Sequence, residues 1–287
     1  MKSTATQVPP LLLALAIGDA YGAGFEFVPR EEVEKDNTAW RYRKKSSNGT
    51  RPGFYTDDTQ MSLALAEVLA EDRPWTSRTL ADRFVTVYHR DPHPGYARGF
   101  ESILKKCKNG DDFLRLIRPD SIRNGAAMRS LPLGILPTVA KVKEYARIQA
   151  SLTHNTEVGI ASSQAIGLMA HYGLRQEGKL TDLIPFLTHQ VPSIDWQTPW
   201  SGPVPVDGLA TVRAVATLLT AHRSLHELLR ASVGLTGDTD TVASLTLGAA
   251  VCFPEYRRNL SPALINRLED SRYGRRYLVQ LNKKLFH

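Results

Sequence analysis

Apolar positions along the 287-residue chain recur at helical spacing far more often than in strict alternation. Met61 to Leu69 reads M-S-L-A-L-A-E-V-L, a run of strong helix formers with Val68 as its one β-branched residue. Leu11 to Ile17, Ala161 to Ala170, Leu209 to Ala221, Leu225 to Val233 and Val242 to Val251 follow the same habit. Several of these runs are so rich in Ala, Gly and Ser that they read as closely packed interior helices. Gly and Pro clusters fall between them, as at Arg51-Pro52-Gly53 and Trp200-Ser201-Gly202-Pro203. No segment offers the regular strand-and-helix alternation of a doubly wound sheet, and no repeat of fixed period or low-complexity linker is visible. The pattern predicts an all-α fold, one domain over residues 1–287, with long functional loops.

Composition changes this picture little. With 42% hydrophobic residues spread along its length, the chain can bury a large core. The run Leu11 to Ile17 is too short to span a bilayer. Lys2 before it and small residues after it imitate a signal-peptide core. Pro9 and Pro10 stand where the charged segment of such a peptide belongs, however, and Gly18-Asp19 interrupts the run. It reads as the first buried helix of a cytoplasmic protein. Thirty-six Lys and Arg against 29 Asp and Glu give a formal charge of +7, which favours encounter with anionic partners. The excess sits in local runs: Arg41, Arg43, Lys44, Lys45 and Arg51, then Arg272, Arg275, Arg276, Lys283 and Lys284. With no zinc-finger spacing and no aromatic-basic ribonucleoprotein pattern, these runs read as solvated surface, not as a nucleic-acid site. Cys107 and Cys252 lack CxxC spacing, and Cys252 lies in an apolar segment, so a buried free thiol is expected there.

The candidate chemistry lies in two short acidic segments of one design. Tyr55-Thr56-Asp57-Asp58-Thr59-Gln60 opens into the helix near Met61, and Gly237-Asp238-Thr239-Asp240-Thr241 opens into the helix near Val242. Asp and Thr are favoured N-caps, and the helix dipole favours anions at that end, which accounts for either segment alone. A cap needs one side-chain oxygen, whereas each segment supplies two carboxylates and threonines besides. If the two helices converge, the carboxylates repel, so that some pKa values rise or cations are required. Oxygen ligands without His or Cys suit Mg²⁺, Mn²⁺ or Ca²⁺ and not zinc. Spacing alone does not establish that convergence.

Five blocks in order resemble the ADP-ribosylglycohydrolase family. They are Gly18-Asp19-Ala20-Tyr21-Gly22-Ala23-Gly24-Phe25-Glu26, the segment from Thr56 to Gln60, Asn124-Gly125-Ala126-Ala127-Met128-Arg129, Leu152-Thr153-His154, and the segment from Gly237 to Thr241. The resemblance implies an all-α orthogonal helical bundle with a central dinuclear site for two Mg²⁺ or Mn²⁺ ions. It implies Thr56, Asp57 and Asp58 as metal ligands from one side, and Asp238, Asp240 and Thr241 from the other. Glu26 matches a glutamate on a mobile loop over the metals, with a part in catalysis beside Asp57, Asp58 and Asp240. Gly22 and Gly24 then fit a loop that moves or approaches a ligand closely. Ser121, Asn124, Gly125 and Ala126 fall in the loop that cradles the diphosphate and proximal ribose, and His154 falls near the ribose and phosphates. The segment Asp91 to Gly99 looks like a loop near the distal ribose, where Asp91 reads either as a group for acid-base work or, with more weight, as a turn-forming Asp-Pro.

The chain departs from the family pattern at Arg123 and Thr236, where Gly is usual, and at Ile122, where an aromatic often stacks adenine. These departures bear on the adenine contacts; all six ligand positions are intact. The implied function is removal of ADP-ribose from modified protein side chains, arginine N-linked first and serine O-linked next. The rival from another class is an immunity factor that blocks an ADP-ribosyltransferase toxin by direct contact.

Overall fold

The computed structural model describes residues 8–44 and 49–286; Lys2 and Lys45 of the sequence reading lie outside them. The helices among the described residues are α1 (Leu11–Gly22), α2 (Arg30–Asp36), α3 (Asp57–Ala70), α4 (Ser77–Arg90), α5 (Arg98–Lys106), α6 (Gly110–Leu116), α7 (Gly125–Met128), α8 (Val139–Ser151), α9 (Glu157–Arg175), α10 (Leu183–Gln190), α11 (Gly208–Ala221), α12 (Leu225–Gly234), α13 (Thr239–Ala250), α14 (Pro262–Arg267) and α15 (Arg275–Leu285). Two short 3-10 turns, Leu131–Ile135 and Leu180–Asp182, complete the described elements, and pairing in the β manner is confined there to three isolated bridges. The fold is all-α, as the apolar spacing predicts. Each predicted run lies inside one helix, except that α13 ends at Ala250 and Val251 is its C-cap. None of these helices is long and apolar enough to cross a membrane.

Helices that are apolar all round belong in the interior. Eleven of the twelve residues of α1 and all twelve of α13 are buried, and these two helices form the most extensive helix contact. Glycine makes their approach possible. A Cβ at Gly18 would stand 2.3 Å from the carbonyl oxygen of Ala243, and one at Gly22 would stand 2.3 Å from that of Thr239. This corrects the loop reading of Gly22, which is the last residue of α1 and seats on the first turn of α13. Gly24 does lie in a turn, but it faces the Arg43 side chain.

A large apolar cluster surrounds α1 and α13 with residues from α9, α11 and α12; a smaller one joins Met61 and Leu65 of α3 to Leu80, Phe84 and Phe113. The outer helices show the ordinary amphipathic division, α4 burying Leu80, Ala81, Phe84, Val85, Val87 and Tyr88. Part of the basic excess is structural and not solvated. Arg43 pairs with Glu32 (2.5 Å) and Asp36 (3.0 Å) and donates to the Gly24 carbonyl (3.1 Å). Arg275, part-buried, reaches Asp270; Arg276 reaches it too but stays exposed, as the sequence predicts. Cys107 and Cys252 are buried free thiols.

Candidate active site

Among the described residues, seven helices begin with a side chain that accepts a hydrogen bond from their own first turn: Thr76, Asn109, Thr138, Thr156, Asp207, Ser224 and Ser261. The two acidic segments do not behave this way. Thr56 and Asp238 occupy the N-cap positions of α3 and α13, and neither caps its helix through its side chain. The donors of α3 are met instead from α1. Asp19 accepts from the backbone N–H of Thr56 (2.9 Å) and of Thr59 (3.0 Å), and from their hydroxyls at 2.8 and 2.6 Å. A carboxylate fully buried inside an apolar helix is tolerated because four donors surround it. Asp57 and Asp58 are thereby released from capping.

The ends of α3 and α13 converge on one cavity of about 920 Å³. Asp57 and Asp58 enter from α3, Asp238, Asp240 and Thr241 from α13, and Glu26 from the turn after α1. The Phe27 N–H donates to the Gly237 carbonyl (2.9 Å), which ties the Glu26 turn to the second acidic segment. Glu26, Asp238 and Asp240 each offer an oxygen within 4.8 Å of the others, a spacing that could hold a metal ion. Among the described residues the buried Asp58 Oδ1 has no hydrogen-bond partner. Burial foremost, then the negative charge of Asp240 and Asp19, pushes Asp57 and Asp58 well above the ordinary carboxylate range. Burial likewise raises Asp240 well above that range, helped by Asp238, and raises Asp238 to about 6. Oxygen ligands this crowded favour either protons or hard cations.

Loops fix these groups from behind. The amide of Asn124 donates to Asp238 and to Thr211 Oγ1 (3.1 Å), so this side chain orients a carboxylate. The Asp57 N–H donates to the Pro94 carbonyl (3.0 Å), and Gly95 at φ +107° lies so near that a Cβ would stand 2.1 Å from Asp57 Oδ1. Behind it His93 stacks on Tyr55 at 4.2 Å and donates from Nδ1 to the Tyr55 carbonyl (3.0 Å). Asp91 meets His93 Nε2 at 3.2 Å, a place within the loop and not on the cavity wall. On the other side, Gly237 at φ +86° packs on Val204, whose carbonyl accepts from the Asp238 N–H (2.9 Å). Thr236 beside it takes φ +69°, a left-handed conformation that Gly would adopt without strain.

Ser121, Asn124, Gly125 and His154 also line this cavity. Two of the sequence-predicted residues do not. Thr56 turns its hydroxyl to Asp19, with Asp58 Oδ2 at 3.5 Å, and the fully buried Ala126 accepts from Gln149 Nε2 (3.0 Å) through its carbonyl. Arg98, Arg118, Arg123 and Arg129 line the same cavity. Its lining thus carries both carboxylates and guanidinium groups.

A model of the ADP-ribosylglycohydrolase family matches residues 4–287. The chain belongs to that family. ADP-ribosylhydrolase ARH3 of Xenopus tropicalis is 32% identical over 178 residues, which are 58% of this chain and 50% of that protein. ADP-ribosyl-[dinitrogen reductase] glycohydrolase of Rhodospirillum rubrum is 28% identical over 81% of this chain and 80% of its own. ADP-ribosylarginine hydrolase Tri1 of Serratia proteamaculans is 26% identical over 56% of this chain and 45% of its own length. The chain spans about half the length of the curated ARH3 relatives it matches. A solved structure described as an ADP-ribosylglycohydrolase-related protein complex superimposes with a TM-score of 0.75 at 25% identity, covering 98% of this chain and 97% of that one.

Sequence reasoning passed over Asp19, Arg98, Arg118, Arg129 and Thr153, though Asp19 and Arg129 stand inside blocks that carry the resemblance to this family. Asp19 had a readable signal, since a carboxylate in a run as apolar as Leu11 to Tyr21 needs buried donors. Arg118 had none, because only the fold brings it to the cavity.

Proposed function

We propose that the chain removes ADP-ribose from modified protein side chains by hydrolysis, the arginine N-linked form first. One observation carries the reading: two carboxylate pairs stand at the starts of helices whose N-cap side chains do not cap them, around an oxygen of Asp58 that has no partner among the described residues. Such a set fits divalent cations, Mg²⁺ or Mn²⁺, held by Thr56, Asp57 and Asp58 from one side and by Asp238, Asp240 and Thr241 from the other. When bound, the cations would polarise ribose oxygens and acidify a water. Asn124 holds Asp238 in its orientation, a task that commonly matters to ligand affinity.

The remaining chemistry belongs to the chain's own side chains. Positive charge develops at the anomeric carbon as its bond to the guanidine nitrogen lengthens, and the acidic wall stabilises that charge. The electron pair of that bond leaves with the guanidine, and water adds its oxygen to the carbon. Glu26 takes a proton from the water, and that proton passes on to the departing guanidine, which ends as guanidinium. The arginines that line the cavity receive the diphosphate. The names of the Rhodospirillum and Serratia relatives, one an ADP-ribosyl-[dinitrogen reductase] glycohydrolase and one an ADP-ribosylarginine hydrolase, support this substrate class.

The linkage is tested by offering the chain, with Mg²⁺ or Mn²⁺, one protein ADP-ribosylated on arginine and one on serine. Release of free ADP-ribose from the arginine form at ten times or more the rate from the serine form is expected. The reverse preference would move the assignment to O-linked substrates. Release from neither would end the hydrolase reading. Protection against an ADP-ribosylating toxin by a folded variant lacking Asp57, Asp58 and Asp240 would favour blocking by contact.

A further inference from the structure

Arg129 is a buried guanidinium for which no carboxylate serves as ion-pair partner among the described residues. Its Nε donates to Gln149 Oε1 (2.5 Å), and its Nη2 donates to the Gln149 carbonyl (3.1 Å) and to Thr153 Oγ1 (2.8 Å). The ring of Phe84 lies 4.7 Å below it. Burial lowers Arg129 to about 9, which leaves it charged at neutral pH.

A guanidinium only donates, so Thr153 Oγ1 is the acceptor in their bond and its own hydrogen must go elsewhere. The remaining partner of that hydroxyl among the described residues is His154 Nδ1, at 2.6 Å. Were Nδ1 protonated, it would be a second donor to Thr153, whose buried hydroxyl hydrogen would then have no acceptor there. Buried hydroxyls avoid that state. The arrangement in which every donor meets an acceptor leaves Nδ1 bare and places the imidazole proton on Nε2. The ring is neutral, because burial and the nearby charge of Arg129 push His154 down to about 3. Its Nε2 edge lies against Gly125 on the cavity wall, 3.2 Å from where a Cβ would stand.

We propose that Arg129 is a positioning residue: through the Thr153 hydroxyl it fixes His154 as the Nε2–H tautomer, so that the ring presents a donor to a phosphate oxygen in the cavity. The half of this inference that concerns phosphate rests on the ADP-ribose reading above. Without the relay, a neutral imidazole divides between two tautomers, and in one of them a nitrogen lone pair faces the anion. Arg129 thus acts twice, by its charge near the phosphate and by setting the direction of a hydrogen bond it does not itself make.

The test is ¹⁵N NMR of the histidine rings in the full ligand-free chain, with His154→Gln identifying the signal among eight histidines. The wild type is expected to show neutral Nε2–H at His154. Thr153→Val should shift the ring toward Nδ1–H, and Thr153→Ser should keep the wild-type tautomer. Calorimetry with ADP-ribose should show about tenfold weaker binding for Thr153→Val and near wild-type binding for Thr153→Ser. An Nδ1–H ring in the wild type overturns the proposal, and so does a Thr153→Val ring that keeps the wild-type tautomer. If Thr153→Val does not fold, the wild-type tautomer alone decides. Nε2–H in a wild type that binds no ADP-ribose overturns the cavity assignment while upholding the relay.

Discussion

At the scale of residues, the acidic segments show how a capping signature is turned to another use. Thr56 and Asp238 hold the cap positions, yet Asp19 satisfies the donors of α3 from a neighbouring helix. Asp19→Asn keeps the volume but brings an NH₂ group against hydroxyl and N–H donors. It should cost about 2–3 kcal/mol in denaturant unfolding and weaken Mn²⁺ binding by misplacing Thr56 and Asp58. Unchanged stability would mean that Asp19 does not carry the cap. The raised carboxylates make a second prediction. Asp238 titrates near 6 in the folded chain against the ordinary carboxylate value of 3.8, so between those limits the native state binds more protons than the unfolded one. Its contribution is present at low pH and lost as pH rises through about 6. In chelator, the melting temperature should therefore fall from about pH 5 to about pH 7, less steeply in Asp238→Asn. An equal slope in the two proteins would contradict the assignment. Much of this was legible: two carboxylates per segment exceed what a cap needs. The release of Asp57 and Asp58 by Asp19 was not, because the donors that Asp19 meets lie 37 and 40 positions away in sequence.

Among elements, the crossing of α1 and α13 sets where the second acidic segment begins. Gly18 and Gly22 lie one turn apart and let the backbones touch along one face, and the Thr239 hydroxyl donates to the Gly22 carbonyl (2.8 Å). Gly22→Val should force α13 away, costing about 3 kcal/mol or more and reducing metal affinity together with stability. Full stability in a thermal melt would show that the crossing is looser than the geometry requires. The helices themselves were readable, since period and propensity agree over long runs such as Met61 to Leu69. The role of Gly22 was misread because a glycine serves loops and close crossings alike, and sequence shows no partner helix. Arg43 was misread for a related reason: its partners Glu32 and Asp36 lie on α2, whose return toward the turn after α1 is a tertiary fact.

For the whole molecule, one cavity is lined by both carboxylates and arginines. This arrangement suits a ligand that carries a neutral polyol at one end and phosphates beyond it. Net charge gave no sign of it, because +7 spread over runs does not reveal which arginines share a wall with carboxylates. The five motif blocks did indicate that the acidic segments meet, and Asp57, Asp58, Asp238, Asp240 and Glu26 do line one space. In the proposed reaction, cations held by those carboxylates make the ADP-ribose bond labile, a dependence open to direct measurement. It is tested most directly by stripping the chain with chelator, then titrating Mg²⁺ or Mn²⁺ against release of ADP-ribose from an arginine-modified protein, beside a folded Asp58→Ala variant. Release that is absent without metal, saturates with it, and falls roughly a hundredfold or more in the variant is the expected result. Release that is indifferent to metal, or equal in the two proteins, would contradict the account.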